Sequence, residues 1–165
     1  MYQLLEYNTS YYADWMTDEL DKKILNFLQK DAKLTIKELA ESLEMSTTPI
    51  FERIKRMERD GVIKGYVALV DQEKVGRGQT VFINIRMPVY TAENVAAFEQ
   101  TIREMQQVLE CYHLAGTIDY QLKVVVENIK EYDRLLLEIS KIKNVNVESS
   151  VIVLHDVKQQ TAIPL

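Results

Sequence analysis

Two short amphipathic segments, separated by only two residues, constrain the fold of this chain more than any other feature. Residues 35–43 and residues 46–61 each repeat apolar side chains at the spacing of one helix face. Only Glu44 and Met45 lie between them, and a similar segment, residues 18–29, precedes them. Three short helices with so tight a turn predict a helix-turn-helix unit around one small core. The apolar positions are Leu20, Ile24, Leu28, Ile36, Leu39, Ala40, Leu43, Ile50, Ile54 and Met57.

The third predicted helix has a recognisable start, end and polar face. The Ser46 hydroxyl can cap a first-turn N–H, and Pro49 falls in that turn, where a missing N–H costs little. Gly61 suits a left-handed C-terminal cap. A cationic helix face is more often plain solvated surface, but after a tight turn it is the face that contacts the DNA major groove. We predict DNA contacts by Ser46, Thr47, Thr48, Pro49, Glu52, Lys55, Arg56 and Arg59.

The charge distribution moderates this prediction. The chain has a net charge of −5, which opposes binding to DNA. Residues 46–64 carry five basic and three acidic side chains, so positive charge is concentrated on the predicted DNA-binding helix. Because one such helix neutralises few phosphates, we expect modest affinity per subunit and a dimer or larger oligomer to multiply it.

Composition predicts a soluble globular protein of the cytoplasm. Hydrophobic residues make up 47% of the chain, and its apolar runs are too short for a membrane-spanning helix. A single cysteine, Cys111, excludes an internal disulfide framework. Residues 1–15 are rich in tyrosine and lack the features of a signal peptide. We interpret them as an extension outside the fold, with a dimerisation arm as the alternative.

The second half of the chain alternates strands and helices in the order βαββαβ. It follows a predicted strand at residues 62–71 and a glycine-containing linker at residues 72–78. The order predicts a ferredoxin-like sandwich, and hence an α+β protein. The domains are then an extension at residues 1–15, a helix-turn-helix domain with its following strand at residues 16–71, and a second domain at residues 79–165. Its predicted strands are residues 80–87, 108–115, 120–126 and 145–155, and its helices residues 92–107 and 130–142.

The predicted sheet has more apolar side chains than we expect two helices to cover. An uncovered apolar sheet face is costly in water, and a second sheet is its natural cover. We therefore predict a dimer that packs sheet against sheet. The apolar side chains that two helices are not expected to bury in full are Val81, Ile83, Ile85, Val124, Val126, Val151 and Val153.

Residues spread over both halves carry a family resemblance. They are Leu20, Asp21, Ile24, Leu25, residues 28–32, Glu38, Leu39, Ala40, Ser46, Pro49, Arg53, Ile54, residues 61–63, residues 110–112, residues 115–120 and residues 122–124. With them the chain resembles the leucine-responsive/asparagine (Lrp/AsnC) family of transcriptional regulators. The resemblance implies a winged helix-turn-helix followed by a regulatory RAM domain, in a bacterial or archaeal protein. It implies double-stranded DNA, a small-molecule effector and further copies of the chain as partners, with dimers assembling to octamers and no membrane.

One turn in the second half is the predicted effector site. Gly116 and Asp119 keep the family's Gly-x-x-Asp form, although on the residues alone such a turn is usually just a hairpin. The resemblance implies that an amino acid binds there between subunits. The glycine would allow close approach, turn N–H groups would meet an α-carboxylate, and Asp119 would meet an α-ammonium. The assigned residues are Gly116, Thr117, Asp119 and Tyr120, with Ser149 and Ser150 completing the site from the neighbouring subunit.

No catalytic, cofactor or metal site is predicted. Cys111 and His113 share one strand face but are at most half of a metal site, which favours a core or interface role. Ser149 has no base near it in the sequence, so an enzyme with a ferredoxin-like domain is unsupported. The leading hypothesis is an effector-responsive transcriptional regulator. The alternative is an architectural protein that bends or wraps DNA without an effector.

Overall fold

The chain folds into two compact units. In this computed structural model, which describes residues 17–165, the first unit comprises residues 17–68 and 158–165 and the second residues 69–157. The extension proposed at residues 1–15 lies outside the described residues. Within the described part of the chain, no helix is both long enough and apolar enough to cross a bilayer.

The first unit is built from three short helices: α1 (Glu19–Leu28), α2 (Ile36–Ser42) and α3 (Thr47–Arg59). Each predicted helix is confirmed to within two residues at either end. Their apolar faces meet in one small core, as the spacing predicts. The fully buried apolar side chains of this core are Ile24, Leu39, Ala40, Ile50, Ile54 and Met57.

Reciprocal side-chain caps explain where α1 and α2 begin. The Asp18 carboxylate accepts the N–H groups of Leu20 and Asp21, and the Asp21 carboxylate accepts the N–H of Asp18 in return. Thr35 and Glu38 form the same capping box at α2. Each box satisfies N–H groups that a helix leaves unpaired at its start, so both boundaries are set by local sequence.

The start of α3 departs from this pattern, and the predicted Ser46 cap was wrong. Ser46 is the N-cap residue, but its side chain makes no capping hydrogen bond. The third helical position, which donates to the cap in α1 and α2, is Pro49 in α3, and proline has no N–H to donate. At the other end the prediction is confirmed, because Gly61 has a φ of +73°, in the left-handed region.

The strand predicted at residues 62–71 does not form within one chain. The segment is extended and mostly exposed, including the side chains of Val67, Leu69 and Val70. Its β-branched composition suits a strand, but a strand forms only beside another backbone that satisfies its N–H and C=O groups. Among the described residues the only sheet is that of the second unit, and this segment is not part of it.

The second unit confirms the predicted ferredoxin-like arrangement. All three pairings in its four-stranded sheet are antiparallel, in the order β2-β3-β1-β4. The elements, in chain order, are β1 (Gln79–Arg86), α4 (Ala92–Glu104), β2 (Val108–His113), β3 (Tyr120–Val126), α5 (Ile129–Ser140) and β4 (Asn146–Ile152).

Two helices do not bury all seven apolar strand residues, as predicted, but only Val151 and Val153 stay outside the buried cluster. Val81 pairs with Val124, and neither side chain has exposed surface. Phe98 of α4 and Leu135 of α5 pack in the same cluster. The other five residues are covered because strand alternation sends them to the helix side of the sheet. The buried cluster contains Val81, Ile83, Ile85, Met87, Phe98, Ile102, Tyr120, Leu122, Val124, Val126, Leu135, Ile139 and Val145.

The opposite side of the sheet, which we call the open face, mixes polar and apolar side chains. The Gln121 amide donates to Asn84 (3.0 Å), and the Asn84 amide donates to Ser149 (2.9 Å), which links β3, β1 and β4. Lys123 pairs with Glu110 at 3.0 Å. By register and alternation the open face includes Phe82, Asn84, Glu110, Tyr112, Gln121, Lys123, Val125, Ser149, Val151 and Val153.

Two leucines of α5 test which side chains of the second unit belong to the buried core. Leu135 is 2% exposed in the core, whereas Leu137 is 56% exposed on the same helix. We expect Leu135→Ala to lower the free energy of unfolding by about 2–5 kcal/mol, since it removes buried methyl groups and leaves a cavity. Leu137→Ala should change it by less than about 0.5 kcal/mol. Urea unfolding followed by circular dichroism measures both, and equal losses would contradict the assigned burial.

Candidate functional site

Helix α3 presents a polar side to solvent. Its buried side chains are Ile50, Ile54 and Met57, as the spacing predicts. The eight residues predicted to contact DNA all lie at the surface or partly exposed. Ser46, Thr47, Thr48, Glu52, Lys55, Arg56 and Arg59 are exposed, and Pro49 is half-buried.

Two cations of this polar side pair with neighbouring acids. Lys55 lies 2.7 Å from Glu58, and Arg59 lies 2.9 Å from Asp60. The Lys55 ammonium and, to a smaller extent, a hydroxyl of Tyr66 lower the pKa of Glu58. Surface pairs of this kind contribute little stability and exchange readily with water. Both cations are therefore free to turn to another anion.

Arg56 is held differently, by a buried carboxylate of α1. Asp21 has no exposed surface; its Oδ2 accepts a hydrogen bond from Arg56 (2.5 Å), and its Oδ1 accepts one from Arg53 (2.8 Å). Arg53 also donates to Asp18. The bond to Asp21, followed by that to Asp18, raises the pKa of Arg53. The Asp21 N–H and then the Arg53 guanidinium lower the pKa of Asp18, which favours the charged form of that carboxyl.

Sequence reasoning missed Arg53 and Phe51 as members of this surface. Arg53 lies three residues before Arg56, a spacing that places both on one helix side and could have identified the pair. Its partner Asp21 is 32 residues away in the chain, and no local pattern connects them. Phe51 is 44% exposed, and Lys55 lies above its ring at 5.8 Å from the centroid.

The arginines line a shallow hollow on α3 that suits an anion or a base edge. A guanidinium carries five N–H donors in a rigid plane, so bonding to Asp21 leaves Arg56 donors for a ligand. Such a fork matches a phosphate or the acceptor edge of guanine. The lining residues are Pro49, Glu52, Arg53, Arg56 and Arg59.

In the second unit, the predicted effector turn is fastened to the end of β1. The Asp119 carboxylate accepts the N–H of Met87 (2.7 Å), and the Asp119 N–H donates to the carbonyl of Ile85 (2.9 Å). The Arg86 guanidinium donates to the carbonyl of Thr117 (2.6 Å). Asp119 is thus half-buried, and its carboxylate already has a structural role in holding the turn.

Gly116 at this turn has open space around it. It is not among the glycines with positive φ, and a Cβ placed on it would meet no atom within 4 Å. Within one chain, a side chain at this position would therefore not strain the turn. The empty surroundings leave room for a ligand or a neighbouring subunit.

The other residues assigned to the effector site do not gather at this turn within one chain. Tyr120 is 1% exposed; its ring packs on Phe98 under the helices, and its hydroxyl donates to Glu99 (3.0 Å). That burial raises the pKa of Tyr120. Ser149 lies on the open face, where it accepts from Asn84 as described above. Ser150 pairs with Ile83 and therefore belongs to the opposite side of β4.

Cys111 and His113 lie on the helix-covered side of β2. The His113 ring stacks on Tyr120 (4.7 Å between centroids), and its Nε2 lies 2.8 Å from the Tyr90 hydroxyl. Within residues 17–165, no group of three or more His, Cys, Asp or Glu side chains is placed to hold a metal ion. These contacts give His113 a packing role at the edge of the core.

Two protein families match successive parts of the chain. The winged helix-turn-helix DNA-binding family matches residues 17–64, and the Lrp/AsnC ligand binding domain matches residues 80–163. The first match spans α1 to α3, and the second spans the sheet, apart from Gln79, with α4 and α5.

Known proteins are similar over nearly the full length. The glutamate uptake regulatory protein of Zymomonas mobilis is 42% identical over 149 residues, which is 90% of each chain. The crystal structure of an AsnC family transcriptional regulator from Agrobacterium tumefaciens is 40% identical, with a TM-score of 0.83 over 90% of this chain and 97% of that one. The complex of the transcriptional regulator NMB0573 of Neisseria meningitidis with L-Met is 29% identical, with a TM-score of 0.85 over the same shares. This chain therefore belongs to the Lrp/AsnC family of DNA-binding transcriptional regulators.

Proposed function

We propose that this protein is a sequence-specific regulator that places α3 in the DNA major groove and responds to a small-molecule effector, most simply an amino acid. The observation that carries the DNA-binding half of this proposal is the polar side of α3, exposed along its length and fixed to α1 through Asp21. Lys55 and Arg59, whose surface pairs exchange readily, contact phosphates. Thr48, Glu52 and Arg56 lie where side chains reach base edges. Such a regulator works in the cytoplasm, where the DNA is.

Assembly through the open face is the second part of the proposal. Phe82 and Val151 are apolar groups on a side of the sheet that α4 and α5 do not cover, and Val151 is 56% exposed. Packing this face against its copy would bury them beside the polar network of Asn84, which favours a specific register over loose association. A dimer presents two copies of α3, and the family resemblance extends this to octamers. Paired α3 helices multiply a modest affinity per subunit.

The effector is proposed to bind at the turn of residues 114–119. The L-Met complex of NMB0573 shows that a related regulator binds an amino acid. Here the open space at Gly116 admits a ligand, the Asp119 carboxylate has one oxygen beyond its bond to Met87, and the half-exposed Arg86 guanidinium lies beside Thr117. An ammonium and a carboxylate of one amino acid match these opposite charges.

An effector-independent architectural role is the alternative. It is favoured by the engagement of Asp119 with Met87, which shows that the carboxylate has a structural use without any ligand. In that case the same oligomer bends or wraps DNA with an empty turn. Footprints recorded with and without each amino acid separate the two functions, because only an effector with different affinities for two assemblies can shift their balance.

The DNA-binding proposal predicts the effect of removing the two exchangeable cations of α3. Lys55→Ala with Arg59→Ala should weaken binding to all duplexes alike and reduce the slope of log K against log salt by about 2, since two phosphate contacts are lost. Lys130→Ala with Arg134→Ala removes the same charge from α5 and should leave DNA binding near that of the wild type. Fluorescence anisotropy over a salt series measures both. Unchanged binding by the α3 variant would contradict the assignment of α3 as the DNA-contacting helix.

The assembly proposal predicts that a charge on the open face disrupts the dimer. Val151→Glu should shift the protein toward monomer and weaken DNA binding with it, because an ionised side chain in a packed interface is costly. Leu137→Glu on α5 is the matched control, since both residues are 56% exposed, and it should leave the mass unchanged. Size-exclusion chromatography with light scattering measures the mass. A wild-type monomer at micromolar concentration is the contrary result.

The effector proposal predicts that the charge of Asp119, rather than its size, is needed for the ligand. Asp119→Asn keeps an oxygen for the Met87 N–H and should preserve the fold while losing the ammonium partner. Asp119→Ala also leaves that N–H unpaired and should cost about 1–3 kcal/mol of stability. A thermal-shift screen of the twenty common amino acids identifies the ligand, and calorimetry compares the variants. Equal affinity in Asp119→Asn would remove this residue from the site.

A further inference from the structure

Asp21 stands out among the carboxylates of the first unit by its burial and by its partners. Its side chain has no exposed surface, and its two oxygens accept hydrogen bonds from Arg53, from Arg56 and from the N–H of Asp18. Both arginines remain open to solvent, with exposed fractions of 27% for Arg53 and 45% for Arg56. A buried anion therefore underlies two guanidinium groups that reach the surface of α3.

The four cations of α3 divide into two kinds by the burial of their acidic partners. Lys55 and Arg59 pair with acids on α3 or directly after it, and these pairs lie in solvent. Arg53 and Arg56 pair with an acid of α1 that is fully buried, so its position is restricted by the packing around it. Asp21 thus fixes where the Arg56 plane lies before any ligand arrives, and it offsets positive charge that would otherwise attract any phosphate.

We propose that Asp21 is a positioning residue for DNA sequence discrimination. It holds the Arg56 guanidinium so that the remaining donor edge faces one base position, and it keeps Arg56 and Arg53 from acting as mobile phosphate contacts. The inference rests on the proposed placement of α3 in the groove and adds a residue that touches no DNA. A fixed fork loses less side-chain freedom on binding the correct base, whereas a mobile arginine finds an acceptor on any sequence.

The test compares two duplexes bound by the full chain. One is a duplex selected by the wild-type protein from a random-sequence pool, and the other is a shuffled duplex of the same length and composition. Asp21→Asn removes the charge and keeps the shape, while Arg56→Lys keeps the charge and loses the planar fork. Ile24→Val is the stability control, because it trims the same core without touching an arginine. Asp18→Asn is the charge control, because Asn also caps helices and Asp18 contacts only Arg53 of the pair.

The expected result is a loss of discrimination without a loss of general affinity. Asp21→Asn should bind the shuffled duplex as well as the wild type or better, with a salt slope steeper by about 0.9 for each new phosphate contact. Its ratio of selected to shuffled affinity should fall about tenfold. Arg56→Lys should show the same fall in the ratio with an unchanged salt slope. Ile24→Val and Asp18→Asn should keep the wild-type ratio.

Several results would overturn the inference. The first is a folded Asp21→Asn variant whose ratio stays within twofold of the wild type, and the second is an equal fall in Ile24→Val. If circular dichroism shows that Asp21→Asn is unfolded, the test rests on Arg56→Lys. A ratio of selected to shuffled affinity equal to that of the wild type in Arg56→Lys would then reject the proposal. If α3 does not contact DNA at all, the variant with Lys55→Ala and Arg59→Ala will bind the selected duplex as well as the wild type does. That result distinguishes failure of the proposed function from failure of this inference.

Discussion

The ion pairs of Asp21 are the constraint on which the arrangement of the first unit depends. A carboxylate without exposed surface is tolerated only when hydrogen bonds and opposite charges replace the water it has lost. Arg53 and Arg56 supply both, and the N–H of Asp18 supplies a third bond. The acid belongs to α1 and the arginines belong to α3. The same ion pairs therefore hold the two helices together and set the position of the cationic side chains on α3. Removing the acid would weaken the packing of α1 on α3 and leave Arg53 and Arg56 without their buried partner.

In the second unit, one strand both holds the turn of residues 114–119 and carries part of the open face. Strand β1 is central in the sheet, and its last residues hold the turn through Arg86, Met87 and Ile85. A ligand that displaced the Thr117 carbonyl from Arg86, or competed for Asp119, would therefore act directly on the end of β1. Because β1 also carries Phe82 and Asn84 of the open face, the turn and the surface proposed for assembly share one strand. Under the proposed function, this shared strand would couple effector binding to assembly.

Local sequence signals predicted the helices and strands. They failed where hydrogen-bond partners are distant in the chain, or where one favourable residue prevents the effect of another. The caps of Asp18 and Thr35 involve neighbours three residues away, so their helices were predicted to within two residues. Ser46 and Pro49 are each favourable at the start of a helix, but the proline removes the third-position N–H that donates to the cap in α1 and α2. The bonds from Asp21 to α3 and the choice of sheet face for Val81 depend on tertiary packing, which no single segment contains.

If Asp21 fixes Arg56 for DNA recognition, a crystal structure of the full chain bound to its selected duplex should show this directly. We expect α3 in the major groove, with Arg56 within hydrogen-bond distance of both Asp21 and a base edge. A complex in which α3 faces away from the DNA, or in which Arg56 has left Asp21 to bind a phosphate, would contradict it.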